Sequence, residues 1–379
     1  MKTNLKKLLY SGVTLMSLGV LAACSTASSS TTTSSSVTTS QSATGSNNST
    51  ASNSSSSSID WSALPTTEVT LSNDGLKITE GGTYILTGST TAGVTVETDA
   101  NVRIILAGAD ISSSDTAAIN VIKADNVELE IKDGTSNTVK DTSNHSDTNI
   151  EGAIHVEADL TITGNGNSTV EGNFQDGIVS TDDLVINASN IKVTAVDDGI
   201  RGKDSLTING GTIDVTAGGD GIKSTNDTDT TKGYTRITGG DITVKAGDDA
   251  IKAETALTID GGTITVPESL EALEGTNITI NGGTLDVYGS DDAINAASTT
   301  STDIFIKVTG GDLKVAVGSG DTDAFDANGD IYISGGTIDV TAPTSAFDFD
   351  GTAELTGGTV RVNGEQISQI VATGPGARW

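Results

Sequence analysis

A Gly-Gly pair recurs through the second half of the chain, each time between two short segments of alternating apolar residues. The pairs begin at Gly210, Gly239, Gly261, Gly282, Gly310, Gly335 and Gly357, and the successive gaps are 29, 22, 21, 28, 25 and 22 residues. Self-similarity at such a period is typical of stacked-repeat proteins. The chain is therefore expected to be a series of similar units that each contact their neighbours.

One repeat contains three short strands. In the copy LTINGGTIDVTAGGDGIK, Leu206 and Ile208 alternate with polar residues, as do Ile213 and Val215, and Ile222 begins a third strand. Period-two alternation with β-branched residues predicts strands with one buried face. The glycines mark corners. Three strands and three corners in about 22 residues leave no room for a helix, which argues against leucine-rich repeats and propeller blades. We predict an all-β fold, a parallel β-helix.

The third strand of each repeat has a regular acidic residue. An acid stands two positions before the inward hydrophobe in seven copies, and Ser345 replaces it in the last. These acids are Asp176, Asp198, Asp220, Asp249, Glu271, Asp292 and Asp323. In-register stacking would space them by about 4.8 Å. Neighbouring carboxylates at that distance repel by about 0.9 kcal/mol in bulk water and by about 3 kcal/mol at an effective dielectric of 20.

Something must offset that repulsion. The residue after the hydrophobe is Arg201, Lys223 or Lys252 in the first regular copies, but it becomes Glu274, Asn295, Asp326 and Asp348 further on. Calcium takes oxygen ligands in irregular geometry more readily than magnesium, so we predict bound Ca²⁺. The predicted metal ligands are Asp197, Asp198, Asp220, Asp248, Asp249, Glu271, Asp291, Asp292, Asp321, Asp323 and Asp326. The predicted ligand-binding cations are Arg201, Lys223 and Lys252.

A different interpretation is that Asp stands at these corners only as a good turn residue. Asp accepts left-handed backbone angles and hydrogen-bonds its own backbone. Asn shares that preference, yet it is absent from the key position in all seven copies. The pattern therefore favours a role for the charge.

Residues 1–24 have the composition of a targeting segment. Lys2, Lys6 and Lys7 precede an apolar stretch, residues 8–21, that is short for a transmembrane helix. The stretch ends in LAAC, which resembles the lipobox of bacterial lipoproteins, so Cys24 is expected to be lipidated. The alternative is an ordinary signal peptide with an incidental cysteine. Residues 25–58 are nearly all small and polar and predict a flexible linker.

The remaining chain divides into two parts. Residues 60–365 are predicted to form the β-helix, with irregular early coils, and residues 366–379 a cap or tail. Polar insertions at residues 225–233 and 298–303 follow the third strand and should emerge from one side of the solenoid. Such insertions mark either a binding face or tolerated loops.

Composition excludes several classes of function. Lys plus Arg number 20 against 50 Asp plus Glu, and the net charge of −30 argues against nucleic acid as a partner. Two histidines and a single cysteine argue against a zinc site, a histidine dyad and thiol catalysis. Aromatic residues make up 3% of the chain, so sugar recognition would be ionic and hydrogen-bonded.

Several segments together resemble a known family. GGTYILTG, VRIILAGADI, the DDGI motif and INGGTIDV are similar to the bacterial carbohydrate-binding β-helix family typified by a clostridial cell-surface protein, over about residues 68–362. The resemblance implies a right-handed parallel β-helix similar to pectate-lyase folds. It also implies bound calcium and binding of acidic plant polysaccharide such as polygalacturonate, with some affinity for cellulose. Calcium would bridge the carboxylates of an acidic protein and an acidic sugar.

We therefore expect an exported, lipid-anchored protein on the outer side of the bacterial membrane that binds acidic polysaccharide through calcium without catalysis. We expect a monomer whose contact with the membrane is through Cys24 alone. One alternative is a polysaccharide lyase, which needs a base to remove the proton beside a uronate carboxylate. Its basic candidates are Arg201, Lys203, Lys223 and Lys252. The other alternative is a structural adhesin or spacer that binds other glycans.

Overall fold

The computed structural model describes residues 59–320 and 322–373. The predicted signal peptide, the lipid anchor at Cys24, the linker, the predicted ligand Asp321 and residues 374–379 lie outside the described residues. Within the described ranges, no helix is long and apolar enough to span a membrane.

Apart from one 3₁₀ turn, Trp61–Ala63, the regular secondary structure of the described residues is all β-strand. The strands in chain order are β1 (Thr66–Leu71), β2 (Leu76–Ile78), β3 (Gly82–Thr90), β4 (Val94–Glu97), β5 (Val102–Ser112), β6 (Ile119–Lys123), β7 (Asn126–Ile131), β8 (Ser136–Lys140), β9 (Gly152–Val156), β10 (Asp159–Thr163), β11 (Asn167–Gly172), β12 (Asp176–Ser180), β13 (Asp183–Ile186), β14 (Asn190–Ala195), β15 (Ile200–Gly202), β16 (Ser205–Ile208), β17 (Thr212–Ala217), β18 (Ile222–Ser224), β19 (Tyr234–Ile237), β20 (Asp241–Lys245), β21 (Ile251–Ile259), β22 (Thr263–Glu268), β23 (Leu273–Ile280), β24 (Thr284–Gly289), β25 (Ile294–Ala296), β26 (Phe305–Val308), β27 (Asp312–Val317), β28 (Asp323–Ala327), β29 (Asp330–Ile333), β30 (Thr337–Thr341), β31 (Ser345–Phe349), β32 (Ala353–Leu355), β33 (Thr359–Val362) and β34 (Glu365–Gln366).

Successive coils pair strand by strand and form three parallel sheets. The first sheet contains β1, β3, β5, β7, β10, β13, β16, β19, β21, β23, β26, β29 and β32. The second contains the later parts of β3 and β5, then β8, β11, β14, β17, β20, β22, β24, β27, β30 and β33. The third contains β2, β4, β6, β9, β12, β15, β18, the first parts of β21 and β23, and then β25, β28 and β31. The predicted all-β class, a solenoid with a long parallel sheet, is confirmed, while its right hand stays a prediction.

The register follows the repeat seen in the sequence. Leu206 pairs with Thr235 and Leu257 with Ile278, offsets of 29 and 21 residues that equal two of the Gly-Gly gaps. Insertions 225–233 and 298–303 both connect a third-sheet strand to the next first-sheet strand. A further insertion, residues 141–151, lies at a different corner, between β8 and β9. The last second-sheet strand, β33, is covered by the antiparallel β34.

Identical inward positions of successive coils form the core. Leu206, Leu257 and Ile278 are fully buried, and burying such a side chain contributes about 1.5–3 kcal/mol. Towards the C-terminal end the inward position of the third sheet becomes aromatic, and the rings of Phe325 and Phe347 stack with centroids 5.2 Å apart. The solenoid therefore has one continuous apolar core along its length.

The second glycine of each pair turns the chain from the first sheet to the second. Gly211 has φ +104°, and a Cβ placed there would lie 2.4 Å from the carbonyl oxygen of Ser189 in the preceding coil. The corner therefore requires glycine both for its left-handed backbone and for the close approach of two coils. Gly134 also has positive φ, +74°, but a Cβ there would meet nothing within 4 Å.

The contrast between these two glycines gives a test of the corner. We expect Gly134→Ala to cost about 1 kcal/mol, which is the cost of a left-handed backbone angle alone. We expect Gly211→Ala to cost clearly more, because the added methyl group would also clash with the backbone of the neighbouring coil. Chemical denaturation of both variants measures the difference, and equal losses of stability would show that coil stacking does not require glycine there.

Candidate metal- and glycan-binding site

The acidic residues predicted from the repeat lie where each coil enters the third sheet. We call Asp176, Asp198, Asp220, Asp249, Glu271, Asp292 and Asp323 the acidic column. Each is followed by a glycine or alanine and then by a buried hydrophobe. A Cβ at Gly199 would lie 2.3 Å from Val215 Cγ1, so the position after the acid must be small.

One carboxylate oxygen of four aspartates in this column, Asp176, Asp198, Asp220 and Asp292, has a structural role. Oδ1 of Asp176 accepts a hydrogen bond from the backbone N–H of Asp198 at 3.1 Å. In the same way Asp198 accepts from Asp220 at 3.0 Å, and Asp220 from Asp249 at 3.0 Å. The bond recurs from Asp323 N–H to Asp292 Oδ1 at 2.7 Å. Among the described residues, this oxygen does not bond the backbone of its own turn, as the turn interpretation expects, but satisfies a backbone donor of the next coil.

The other carboxylate oxygen explains why the residue is Asp rather than Asn. Lys223 Nζ lies 2.5 Å from Asp198 Oδ2 and 3.0 Å from Asp220 Oδ2, so one ammonium joins the acids of two coils. An amide would keep the backbone hydrogen bond but leave this cation without its partner. Lys223 and both acids are at least four-fifths buried, so their charges are poorly screened by solvent.

Two further cations are held similarly. Arg201 contacts Asp176 Oδ2 through Nη2 at 2.7 Å and Nε at 2.9 Å, and it also contacts Glu151. Lys252 Nζ lies 2.8 Å from Asp249 Oδ2 and also contacts Glu274. The predicted charge compensation in the early coils is therefore present.

After Lys252, the outward positions of the third sheet are no longer basic in the described residues. Among residues 59–320 and 322–373, no Lys or Arg forms an ion pair with Glu271, Asp292, Asp326 or Asp348. Glu271 Oε2 accepts a neutral hydrogen bond from Asn295 at 2.9 Å. In the later coils the outward position of Lys252 is occupied by Glu274, Asn295, Asp326 and Asp348, which lie in register.

Burial and like charge raise the pKa of these acids. The pKa of Asp249 is raised to about 8 by burial and by Glu274. The pKa of Glu271 is raised to about 7, first by burial and further by the negative charges of Asp249 and Asp292. The pKa of Asp326 rises to about 7 through burial and four neighbouring acids, and burial with Asp291 and Asp323 raises that of Asp292 to about 6. Full ionisation of this segment is therefore costly without an added cation.

Among residues 59–320 and 322–373, three groups of carboxylates have ligand atoms close enough to hold a metal ion, all within 4.8 Å of one another. They are Asp176 with Asp197 and Asp198, Asp220 with Asp248 and Asp249, and Asp249 with Glu271 and Glu274. In the first two, Arg201, Lys223 and Lys252 already neutralise the buried members. The third group has three carboxylates and one paired cation, Lys252. A further cation would therefore stabilise this group more than the other two.

The structure brings together only part of the predicted ligand set. Six predicted ligands belong to these groups, namely Asp197, Asp198, Asp220, Asp248, Asp249 and Glu271. Within the described residues, Asp291, Asp292, Asp323 and Asp326 join no such group. The groups also contain Asp176 and Glu274, which we had not predicted as ligands although both stand at the repeat positions. Glu151 was missed altogether because it lies in the non-repeating insertion.

The raised pKa values predict how stability depends on pH in the absence of metal. Between about pH 4 and pH 8 the folded protein holds protons on Asp249, Glu271 and Asp326 that the unfolded chain has released, so stability falls as pH rises. We expect a lower melting temperature in chelator at pH 8 than at pH 5. Asp326→Asn should raise stability at pH 8, on the order of 1 kcal/mol, and flatten the pH dependence.

The matched control for this experiment is Asp339→Asn. It removes the same charge from an exposed residue that pairs with Arg361 on the second sheet at 3.4 Å. If wild-type melting in chelator were independent of pH, or if both variants behaved alike, charge crowding in the third sheet would not limit stability.

Removal of a compensating cation should have the opposite effect. Lys223→Met leaves Asp198 and Asp220 buried without their ammonium, and we expect a loss of about 2–4 kcal/mol at neutral pH. Lys314→Met removes a cation from an exposed pair with Asp286 at 3.4 Å and should cost less than about 1 kcal/mol. Urea denaturation compares them, and similar losses would contradict a structural role for the buried cation.

Comparisons with known proteins indicate the family of the chain. The family model described as "Carbohydrate-binding domain-containing protein" matches residues 72–324. A protein of that description from Acetivibrio thermocellus is 36% identical over 135 residues, which cover 34% of this chain and 47% of the relative. The chain thus spans about half the length of the curated relative it matches.

A solved structure is also similar. It is described as the polysaccharide lyase-like protein from C. thermocellum, gadolinium derivative, and it is 31% identical with a TM-score of 0.52. The match covers 58% of this chain and 93% of that one. Because the family model matches well over half of the residues, the chain belongs to the carbohydrate-binding domain-containing protein family.

Proposed function

We propose that this protein is a non-catalytic binder of acidic polysaccharide and that Ca²⁺ joins its acidic column to the carboxylates of the sugar. Family membership supports glycan binding in general. The acidic sugar, the calcium and the absence of catalysis are our proposals from the third sheet. An acidic protein and an acidic sugar repel one another unless a cation lies between them.

The observation that supports calcium most directly is the loss of cations beyond Lys252. Asp249, Glu271, Asp292 and Asp326 have pKa values raised into the range from about 6 to about 8. A divalent ion would neutralise the ionised acids, and hard cations such as Ca²⁺ prefer carboxylate oxygens. The group formed by Asp249, Glu271 and Glu274 supplies three such ligands, and an acidic sugar would complete the coordination.

The state of the basic residues supports binding rather than lyase chemistry. A base that removes a proton must itself be unprotonated at the working pH. The neighbouring acids outweigh burial and raise the pKa of Arg201 and of Lys223 above their usual values, and that of Lys252 is also raised. These three side chains therefore stay charged at neutral pH. Lys203 is exposed and is the remaining basic residue of the lyase alternative.

We place the protein outside the bacterial membrane. Cys24 in LAAC would be the lipid anchor, and the polar segment 25–58 would separate it from the solenoid. We also propose that the solenoid is right-handed and that the protein is a monomer.

Calcium should both stabilise the protein and mediate its binding to polygalacturonate. At 100 times the dissociation constant, a single bound ion adds about 2.7 kcal/mol to the free energy of unfolding. We expect retention on immobilised polygalacturonate in calcium and its loss in chelator, with no release of unsaturated uronide. The double variant Glu271→Gln with Asp292→Asn should lose both the stabilisation by calcium and the retention.

The control double variant, Asp286→Asn with Asp339→Asn, removes the same charge from the second sheet and should behave as wild type. Formation of unsaturated uronide would make the protein a lyase and direct attention to Lys203. Retention that persists in chelator would contradict the role of calcium. An absence of binding to acidic sugars, together with binding to neutral glycans, would favour the adhesin alternative.

A further inference from the structure

The outward face of the third sheet is covered at its N-terminal end and open further on. Asn120, His155 and Val179 occupy successive outward positions in register, yet they are 5%, 3% and 2% exposed. All five residues of β9 and of β12 are buried. From Arg201 onward the outward position is partly exposed. A cover therefore ends at Arg201.

The insertion 141–151 immediately precedes β9 and lies near this covered end of the third sheet. Charges of His145, Asp147 and Glu151, all within this insertion, act on the His155 side chain. In its first half, His145 Nε2 lies 3.0 Å from Asp141 Oδ2 with both side chains buried. The His145 ring also stacks on Phe174 with centroids 4.4 Å apart.

The second half of the insertion leads to Glu151. The backbone carbonyl of Glu151 accepts a hydrogen bond from the Asp176 N–H at 3.0 Å, so the main chain is tied to the third sheet at this point. The Glu151 side chain contacts Arg201.

Glu151 differs from the other acids that contact the third-sheet cations. Its side chain is 37% exposed, whereas the carboxylates on Lys223 and Lys252 are 4–23% exposed. Arg201 keeps a buried partner, Asp176, whether or not Glu151 is in place. A guanidinium group can bind a second carboxylate in the plane of its fork, so the position of Glu151 is a carboxylate-binding position at the end of the open face.

We propose that Glu151 occupies the place of a ligand carboxylate on Arg201, and that a uronate of an acidic glycan displaces it. This inference rests on the proposed function, since it names the sugar chemistry that the same face recognises. Arg201 then selects the charge of the sugar directly, without calcium. The insertion closes this subsite in the free protein, and the glycan extends from it along the open coils towards Asp326.

The consequence is that Glu151 weakens binding by competition. The Glu151 carboxylate competes with the sugar carboxylate for Arg201 with the strength of a surface ion pair. It reduces the apparent affinity for the sugar according to the fraction of Arg201 that it occupies. We expect Glu151→Gln to bind trigalacturonate about three- to tenfold more tightly than wild type. Arg201→Lys should weaken binding and abolish the gain from Glu151→Gln, because an ammonium lacks the planar fork. Methyl-esterified trigalacturonate should be insensitive to both changes.

Calorimetric titration with trigalacturonate, in calcium and in chelator, tests this inference separately from calcium binding. The control is Glu157→Gln, which removes the same charge from an acid 55% exposed on its side chain that makes no contact with Arg201 among the described ion pairs. A gain confined to Glu151→Gln and present in both buffers supports the inference even if calcium proves irrelevant. Equal effects of Glu151→Gln and Glu157→Gln, or no binding of trigalacturonate to Glu151→Gln in either buffer, would overturn it. Loss of calcium dependence with the gain retained would overturn only the proposed role of calcium.

Discussion

The structure depends on the in-register pairing of parallel strands from successive coils. Such pairing places equivalent residues of neighbouring coils about 4.8 Å apart. Inside the solenoid this is favourable, because Leu206, Leu257 and their equivalents form one continuous core. At the corners it demands glycine, since the second residue of each pair approaches the backbone of the preceding coil. Outside, the same pairing places acid beside acid, and each coil must compensate for the charge of its neighbours.

The third sheet compensates in two different ways along its length. From Asp176 to Asp249 a Lys or Arg joins acids of adjacent coils, so the charge is balanced within the protein. After Lys252 the equivalent outward positions become Glu274, Asn295 and Asp326, and burial with neighbouring acids raises the pKa of Glu271 and Asp326 with no Lys or Arg paired to either among the described residues. A lysine that already joins two acids has its charge compensated, whereas an unneutralised carboxylate attracts a cation from solution. The loss of basic residues after Lys252 therefore divides the outward face of the third sheet into two segments. In the first the charge is compensated within the protein, and the second is suited to metal-assisted recognition.

Repetition explains which features could be predicted from the sequence. The offset of 29 residues between Leu206 and Thr235 is readable as a Gly-Gly gap, because in a solenoid the register is the repeat length. The acidic residues and the cations that follow them were readable for the same reason. The two roles of the Asp176, Asp198 and Asp220 carboxylates, one oxygen for a backbone N–H and the other for a cation, could not be read from the sequence. The hydrogen bond from the Asp198 backbone to Asp176 depends on the shape of the corner. The contact between Glu151 and Arg201 joins residues fifty positions apart, one of them in the non-repeating insertion, so no periodicity could reveal it. Within the described residues, Asp291, Asp292 and Asp326 join no group of three carboxylates that could hold a metal ion, and this too depends on distances that the pattern does not contain.

The departures from the repeat are what give the face a direction. A perfectly regular row of charges would offer a repeating glycan many equivalent registers, and no position along the axis would be preferred. Two irregular features remove that equivalence. The insertion at residues 141–151 lies near one end of the third sheet, where His155 and Val179 are buried, and the change from Lys252 to Glu274 divides the remainder. A polymer on this face would therefore meet a guanidinium at one end and unneutralised carboxylates at the other. The non-repeating residues thus convert a uniform solenoid into a surface with a defined starting point.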